Sequence, residues 1–298
     1  MKNLTFFAAL ILAISPIGVN AKMNVATSTS DLKSIAEYIG GDRVSVTSIA
    51  SGKSNPHFVE VLPSYMVTVS RADIYFKVGL ELDFWAAPII DGSRNGKLVI
   101  VDCSQGVEPM EKPTVKVDAS MGDVHPQGNP HYWLDPANAL IIAKNISRGL
   151  SQADPAGTSI YEGNLSRFQS ELKAKMEVWR KEAEPLSGME IITYHNSWPY
   201  FCRAFGLKVA GFIEPRPGIE PTPGHTAELI ELVKSRGIKI IGKEPYFSDR
   251  APKVIARATG AVVVDLPPSV GGADGAGDYF TLIDTIIQEL LTASNQGD

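Results

Sequence analysis

Five histidines stand in the sequence, and two of them share one tripeptide, Asn55-Pro56-His57 and Asn129-Pro130-His131. A proline fixes its own φ and drives the residue before it into extended backbone. A histidine directly after it is therefore presented from a defined main chain. Metal coordination needs that, because ligand atoms must converge to within a few tenths of an ångström. A third, His195, follows the β-type run from Glu190 to Thr193. That places it at the C-terminal edge of a strand, where open α/β sheets bind their ligands. Any one of the three could be an ordinary hydrogen-bonded histidine. Three at strand ends, two in identical settings, point instead to a shared imidazole site. Neither an H-E-x-x-H pair nor a Cys/His cluster of zinc-finger spacing is present.

The elements that must hold these residues alternate. Met23 to Thr27 reads as a strand, and Ser30 as the cap of a helix with Leu32, Ile35, Ala36 and Ile39 on one face, stopped by Gly40-Gly41. Strands follow at Val44 to Ile49, Ile74 to Val78 and Leu98 to Asp102, with helices at Pro63 to Ser70 and Asn138 to Leu150. From Thr158 to Pro185 the chain changes character. Tyr161, Leu165, Phe168, Leu172, Met176, Trp179 and Ala183 recur every three or four residues, a single stripe on one long helix. About 25 helical residues span roughly 38 Å, enough to connect two lobes, although an ordinary surface helix has the same period. Alternation then resumes, with strands from Glu190, Lys208, Ile238 and Val262, and helices from Trp198, Thr226, Pro252 and Tyr279. The expected architecture is α/β: two lobes with mainly parallel sheets, residues 22–156 and 187–298, joined by one long rigid helix over residues 157–186.

Composition sets the compartment and narrows the partners. Lys2, the apolar run Phe6 to Ile14 and the small residues at Val19-Asn20-Ala21 form a secretory signal over residues 1–21. No cysteine lies near the cleavage point, so no lipid anchor is expected there, and the chain is expected in the periplasm. The formal charge is −5, and loss of the signal with its lone Lys2 makes the remainder slightly more acidic. An acidic surface without basic runs argues against nucleic acid. Cys103 and Cys202 each adjoin an apolar run and are expected as two buried free thiols, although the compartment permits a disulfide.

The stretch Gly128-Asn129-Pro130-His131-Tyr132-Trp133-Leu134-Asp135-Pro136 closely resembles the signature of the zinc/manganese solute-binding proteins of ABC importers. Asn55-Pro56-His57, Thr193-Tyr194-His195-Asn196, Glu244-Pro245 and Gly277-Asp278-Tyr279 accompany it in order, so the likeness runs through the whole mature chain. The resemblance implies one metal in the cleft between two lobes, delivered to an inner-membrane permease, with a periplasmic metallochaperone as a further candidate partner and a monomer as the working state. It also implies the ligands: His57 and His131 from the first lobe, His195 and Asp278 from the second. Manganese-type members carry a carboxylate at the third position, which here is His195. An N3O set suits Zn²⁺.

Some features depart from the pattern or compete with it. Where many zinc members have a His-rich loop, Lys112 to Gln127 holds only His125, read as a solvated histidine or else a weak recruiting ligand. Glu244, just after a strand, is read as a carboxylate that orients a ligating histidine, with a surface ion pair as the plainer role. Glu214 has a weaker claim to either. Asp278 could instead merely cap the last helix, and Asp274 competes with it as a ligand. Trp133 and Trp198 flank ligands and are read mainly as packing. His225 is placed near a helix start without a metal role. The alternative functions are a manganese carrier, a surface adhesin, or a secreted zinc hydrolase in which three histidines leave one position open for water. For the hydrolase, Glu244 is the sole candidate base and no substrate pocket is indicated.

Overall fold

Val25 and Ala26 are buried at the centre of strand β1 (Met23–Thr27), which pairs in parallel on one side with β2 (Val44–Ser48) and on the other with β3 (Ile74–Lys77). Strand β4 (Val99–Asp102) adds to β3, giving the order β2-β1-β3-β4. This computed structural model describes residues 22–115, 122 and 124–296. The expected signal at residues 1–21 and part of the Lys112 to Gln127 loop lie outside them.

A second sheet repeats the plan. Strand β5 (Glu190–Thr193) lies between β6 (Lys208–Phe212) and β7 (Ile240–Lys243), and β8 (Val262–Asp265) completes the order β6-β5-β7-β8, again wholly parallel. In such an order the chain leaves the central strand in both directions, and the crevice opens at the strands' C-terminal ends.

Helices cover the sheets: α1 (Ser30–Gly40), α2 (Pro63–Ser70), α3 (Ala86–Ser93) and α4 (Pro136–Ala153) in the first lobe, and α6 (Pro199–Phe205), α7 (Pro223–Arg236), α8 (Arg250–Thr259) and α9 (Tyr279–Gln296) in the second. The start of α4 shows why sequence dictates a boundary. Asp135 accepts the Ala137 N–H and Pro136 fills the first helical position, where a missing N–H costs nothing. Helix α3 is absent from the sequence reading, and it contains both Pro88 and Gly92. Pro88 sits in the first turn, whose N–H groups have no partner inside the helix, and Gly92 gives room to Met66 of α2.

The long helix α5 (Thr158–Glu182) has 25 residues, and its predicted stripe is its inward face: Tyr161, Phe168, Leu172 and Trp179 are buried. It packs on α1 and α4 of the first lobe and on α9 of the second, where Asp284 accepts from Lys175 Nζ and Trp179 Nε1. A single apolar core runs from Met23 through α5 to Ala293, with smaller clusters on the outer face of each sheet. Cys103 and Cys202 are both buried free thiols in that core.

The lobes also meet at a loop-to-loop joint. Thr29, not Ser30, takes the cap position of α1, and the Ser30 hydroxyl donates instead to the Val270 carbonyl across the joint. Gly52 lies against the same loop so closely that a Cβ there would sit 2.0 Å from the Val270 carbonyl oxygen. Asp31 accepts the Val270 N–H from inside this contact, and burial pushes its carboxyl up to about 7 from 3.8. Between those values the folded chain holds a proton that the unfolded chain has lost. Stability therefore falls as pH rises through this window, and the full cost of the buried charge is felt above it. Asp31→Asn keeps an acceptor oxygen but never ionises. Urea titrations should show the variant gaining on the unsubstituted protein by about 1 kcal/mol or more between pH 5 and pH 8. A pH-independent difference would rule out a buried charge at the joint.

Candidate metal centre

The shared tripeptide has a local structural cause. In each copy the asparagine side chain accepts the N–H of the histidine two residues on, at 3.0 Å: His57 N to Asn55 Oδ1, and His131 N to Asn129 Oδ1. This is an Asx turn tightened by the intervening proline, and it aims the histidine. The first copy is held from behind by Trp85 Nε1, which donates to the Pro56 carbonyl. The second is held from the other lobe, since Asn129 Nδ2 donates to the Asn196 carbonyl and Tyr200 Oη donates to the Asn129 carbonyl. His195 lies two residues beyond β5, and the Thr193 hydroxyl donates to its carbonyl.

These three loops bring His57, His131 and His195 together. One ligand nitrogen from each lies within 4.8 Å of the others, and the Nε2 atoms of His57 and His131 are 3.0 Å apart. Ring centroids are separated by 5.0, 5.1 and 5.4 Å. With zinc–nitrogen bonds of about 2.0–2.1 Å, tetrahedral ligand nitrogens stand about 3.3 Å apart and their ring centres about 5.2 Å apart. The rings already have the spacing that a single tetrahedral ion requires.

Hydrogen bonds set which nitrogen faces the centre. His131 Nδ1 donates to Asn129 Oδ1 at 3.0 Å, and His195 Nδ1 donates to Glu214 Oε2 at 2.7 Å. Both leave Nε2 for the ion, and the carboxylate raises the basicity of the His195 ring. Burial holds His131 well below the usual imidazole range, with the neighbouring His57, His195 and His125 adding to the effect. It is therefore held neutral, as coordination demands.

The carboxylates are arranged otherwise than the sequence indicated. Asp278 is not part of the converging group. It is exposed at the start of α9, where its Oδ1 accepts the Thr281 N–H and hydroxyl, so the helix-cap role is the one it fills. Asp274 is exposed in the same loop. The orienting role assigned to Glu244 belongs to Glu214, which follows β6 at the C-terminal edge of the second sheet. Glu244, directly after β7, is fully buried, with Oε1 accepting from Ser197 Oγ and Trp198 Nε1, while Oε2 accepts no hydrogen bond. Burial pushes its carboxyl up, and His195 pulls the other way. Trp133 and Trp198 are core residues with bonded indoles. His225 lies in the first turn of α7 and donates from Nε2 to the Phe212 carbonyl. Glu111 escaped the sequence reading altogether. It accepts from the Asn129 and Asn196 amides and lines, with His125, His131 and His195, a cavity of about 80 Å³.

The model of the family described as "Zinc-uptake complex component A periplasmic" (ZnuA) matches residues 25–293. The chain belongs to this family. It is a substrate-binding protein of ABC metal transport and not an enzyme. A crystal structure of ZnuA superposes with a TM-score of 0.80 at 28% identity, covering 91% of this chain and 99% of that one. A zinc-bound ZnuA deletion mutant gives 0.78 at 27% identity, covering 91% and 98%. The manganese-binding lipoprotein MntA of Halalkalibacterium halodurans is 26% identical, with 93% of each chain covered. The iron-binding protein YfeA of Yersinia pestis is 24% identical over 95% of this chain and 89% of its own.

Two substitutions separate the roles of the carboxylates. Glu214→Gln should weaken metal binding by about 10–100-fold, because the His195 ring loses its charged acceptor. Asp278→Ala should leave affinity unchanged and lower stability by about 1 kcal/mol, the cost of a lost cap. Calorimetric titration and thermal melts of both variants test this; a collapse of affinity in the Asp278 variant would return it to the ligand set.

Proposed function

We propose that this substrate-binding protein captures Zn²⁺ in the periplasm and delivers it to an ABC-type import permease in the inner membrane. The observation that carries the reading is the donor set. Three imidazoles converge, and among the described residues no carboxylate belongs to the converging group. Imidazole suits zinc, whereas manganese favours carboxylate, carbonyl and water oxygen. The manganese reading draws on relatives named for that metal, such as PsaA of Streptococcus pneumoniae, 27% identical over 79% of this chain.

Export rests on the signal read in residues 1–21. Among the described residues, no helix is long and apolar enough to cross a membrane. The protein works as a monomer in this reading, with the cleft open to the permease and to any metallochaperone that loads it.

Competition titration of the apoprotein should give one Zn²⁺ per chain, bound at least about 100-fold more tightly than Mn²⁺. Equal or reversed affinities would transfer the protein to manganese. Because imidazoles bind metal only when unprotonated, zinc affinity should fall by about 10-fold or more between pH 7.5 and pH 5.5.

A further inference from the structure

The three converging nitrogens leave a zinc ion one ligand short of its preferred four. Among the described residues, the carboxylates near the site each accept hydrogen bonds from other groups. Glu214 Oε2 accepts from His195 Nδ1 and from Gly218 N, Glu244 is held through Oε1 by Ser197 and Trp198, and Asp278 caps α9. The wall of the cavity carries one further imidazole, that of His125, together with the Glu111 carboxylate, whose Oε2 accepts from the Asn129 and Asn196 amides.

The position of His125 follows from the chain around it. His125-Pro126-Gln127-Gly128 is a tight turn, with the His125 carbonyl accepting the Gly128 N–H at 3.0 Å. Proline at the second position of such a turn pre-sets the backbone. Gly128 has φ +108°, a value that favours glycine, and a Cβ there would meet the Met110 carbonyl at 2.7 Å. The next residue, Asn129, donates its N–H to the same carbonyl and begins the Asx turn that aims His131. His125 is thus tied through a few fixed residues to a histidine of the centre. Its ring centroid is 5.1 Å from that of His57, the same spacing the three converging rings keep among themselves.

Resting on the reading of this site as a metal centre, we propose that His125 is the fourth ligand, which makes the centre a set of four imidazoles. Its nitrogen stands outside the group that already converges, so it joins by a rotation of its side chain on the turn, while the strands stay where they are. Four nitrogen donors and no oxygen would bias the site further towards zinc and away from manganese.

Cobalt(II) reads this directly, because its visible bands report the number and type of ligands. The Co²⁺-loaded protein should show the intense bands of a four-coordinate nitrogen site. In His125→Ala and His125→Gln those bands should shift as water or the amide replaces the imidazole. Zinc should then bind about 10-fold or more weakly and leave correspondingly faster under a chelator chase, on the scale of losses seen when metal sites are disturbed. Circular dichroism and melting of both variants check that the fold is intact, and the glutamine variant keeps a polar side chain on the turn should alanine disturb it. Glu244→Gln is the comparison. If the unsubstituted protein binds neither Co²⁺ nor Zn²⁺, the metal-centre reading itself falls. If it binds both, and the His125 variants match it in spectrum, affinity and release, His125 is not a ligand and only this inference falls. A spectral change in Glu244→Gln with none in the His125 variants would give the fourth position to the carboxylate.

Discussion

Everything at the cleft depends on one constraint: imidazoles from two lobes must hold their nitrogens within a few ångströms of a common point. His57 and His131 belong to the first lobe and His195 to the second, so any drift between lobes is drift between ligands. The structure meets this with bonds across the cleft floor. Asn129 is clamped by the Asn196 carbonyl and the Tyr200 hydroxyl, and Tyr200 also accepts the Met110 N–H. Trp133 donates to the Pro268 carbonyl, Tyr279 donates to that of Trp133, and Arg203 pairs with Asp135. Most of these partners are buried, where a broken bond leaves a desolvated polar group and costs more than the bond contributes at the surface. Trp133, Tyr200 and Tyr279 belong to the apolar core that continues through α5. The lobes are thus two sheets on one foundation rather than two bodies on a flexible linker.

The electrostatics follow from that frame. Three imidazoles bring no negative charge to a dication, and a buried ion without countercharge is costly. Two carboxylates stand beside them at the edge of the second sheet, Glu214 in contact with His195 and Glu244 enclosed near it. Neither carboxylate belongs to the converging group. The arrangement keeps the donor atoms nitrogen while placing negative charge one residue further out, so donor type and charge compensation are set by different side chains.

Much of this was legible in the sequence because the signals were local and repeated. The stripe from Tyr161 to Trp179 fixed α5, since only a helix puts those residues on one face. The duplicated Asn-Pro-His pointed to a shared site before any geometry was known, and the Asx turn gives that reading its cause. What escaped depended on contacts between distant segments. Glu214 and Glu244 both follow strands, and nothing along the chain reveals which carboxylate meets His195 Nδ1. Asp278 stands in a stretch that serves equally as helix cap or ligand loop, and its bonds to Thr281 appear only in three dimensions. Ser30 read as a cap and proved to be a link across the lobes. Helix α3, absent from the sequence reading, contains Pro88 and Gly92, which a helix tolerates in its first turn and against a neighbouring side chain.

Gly52 carries an implication for how such a protein can diverge. The loop bearing Val270 passes so close that the joint has no room for a single added carbon. A mutation at position 52 that would be silent on an open surface must here be matched by a retreat of the facing loop. The two halves of the molecule, more than two hundred residues apart in sequence at this point, are therefore expected to accept substitutions in compensating pairs. Drift in one lobe is conditional on the other, and the joint ties their histories together as firmly as it ties their positions.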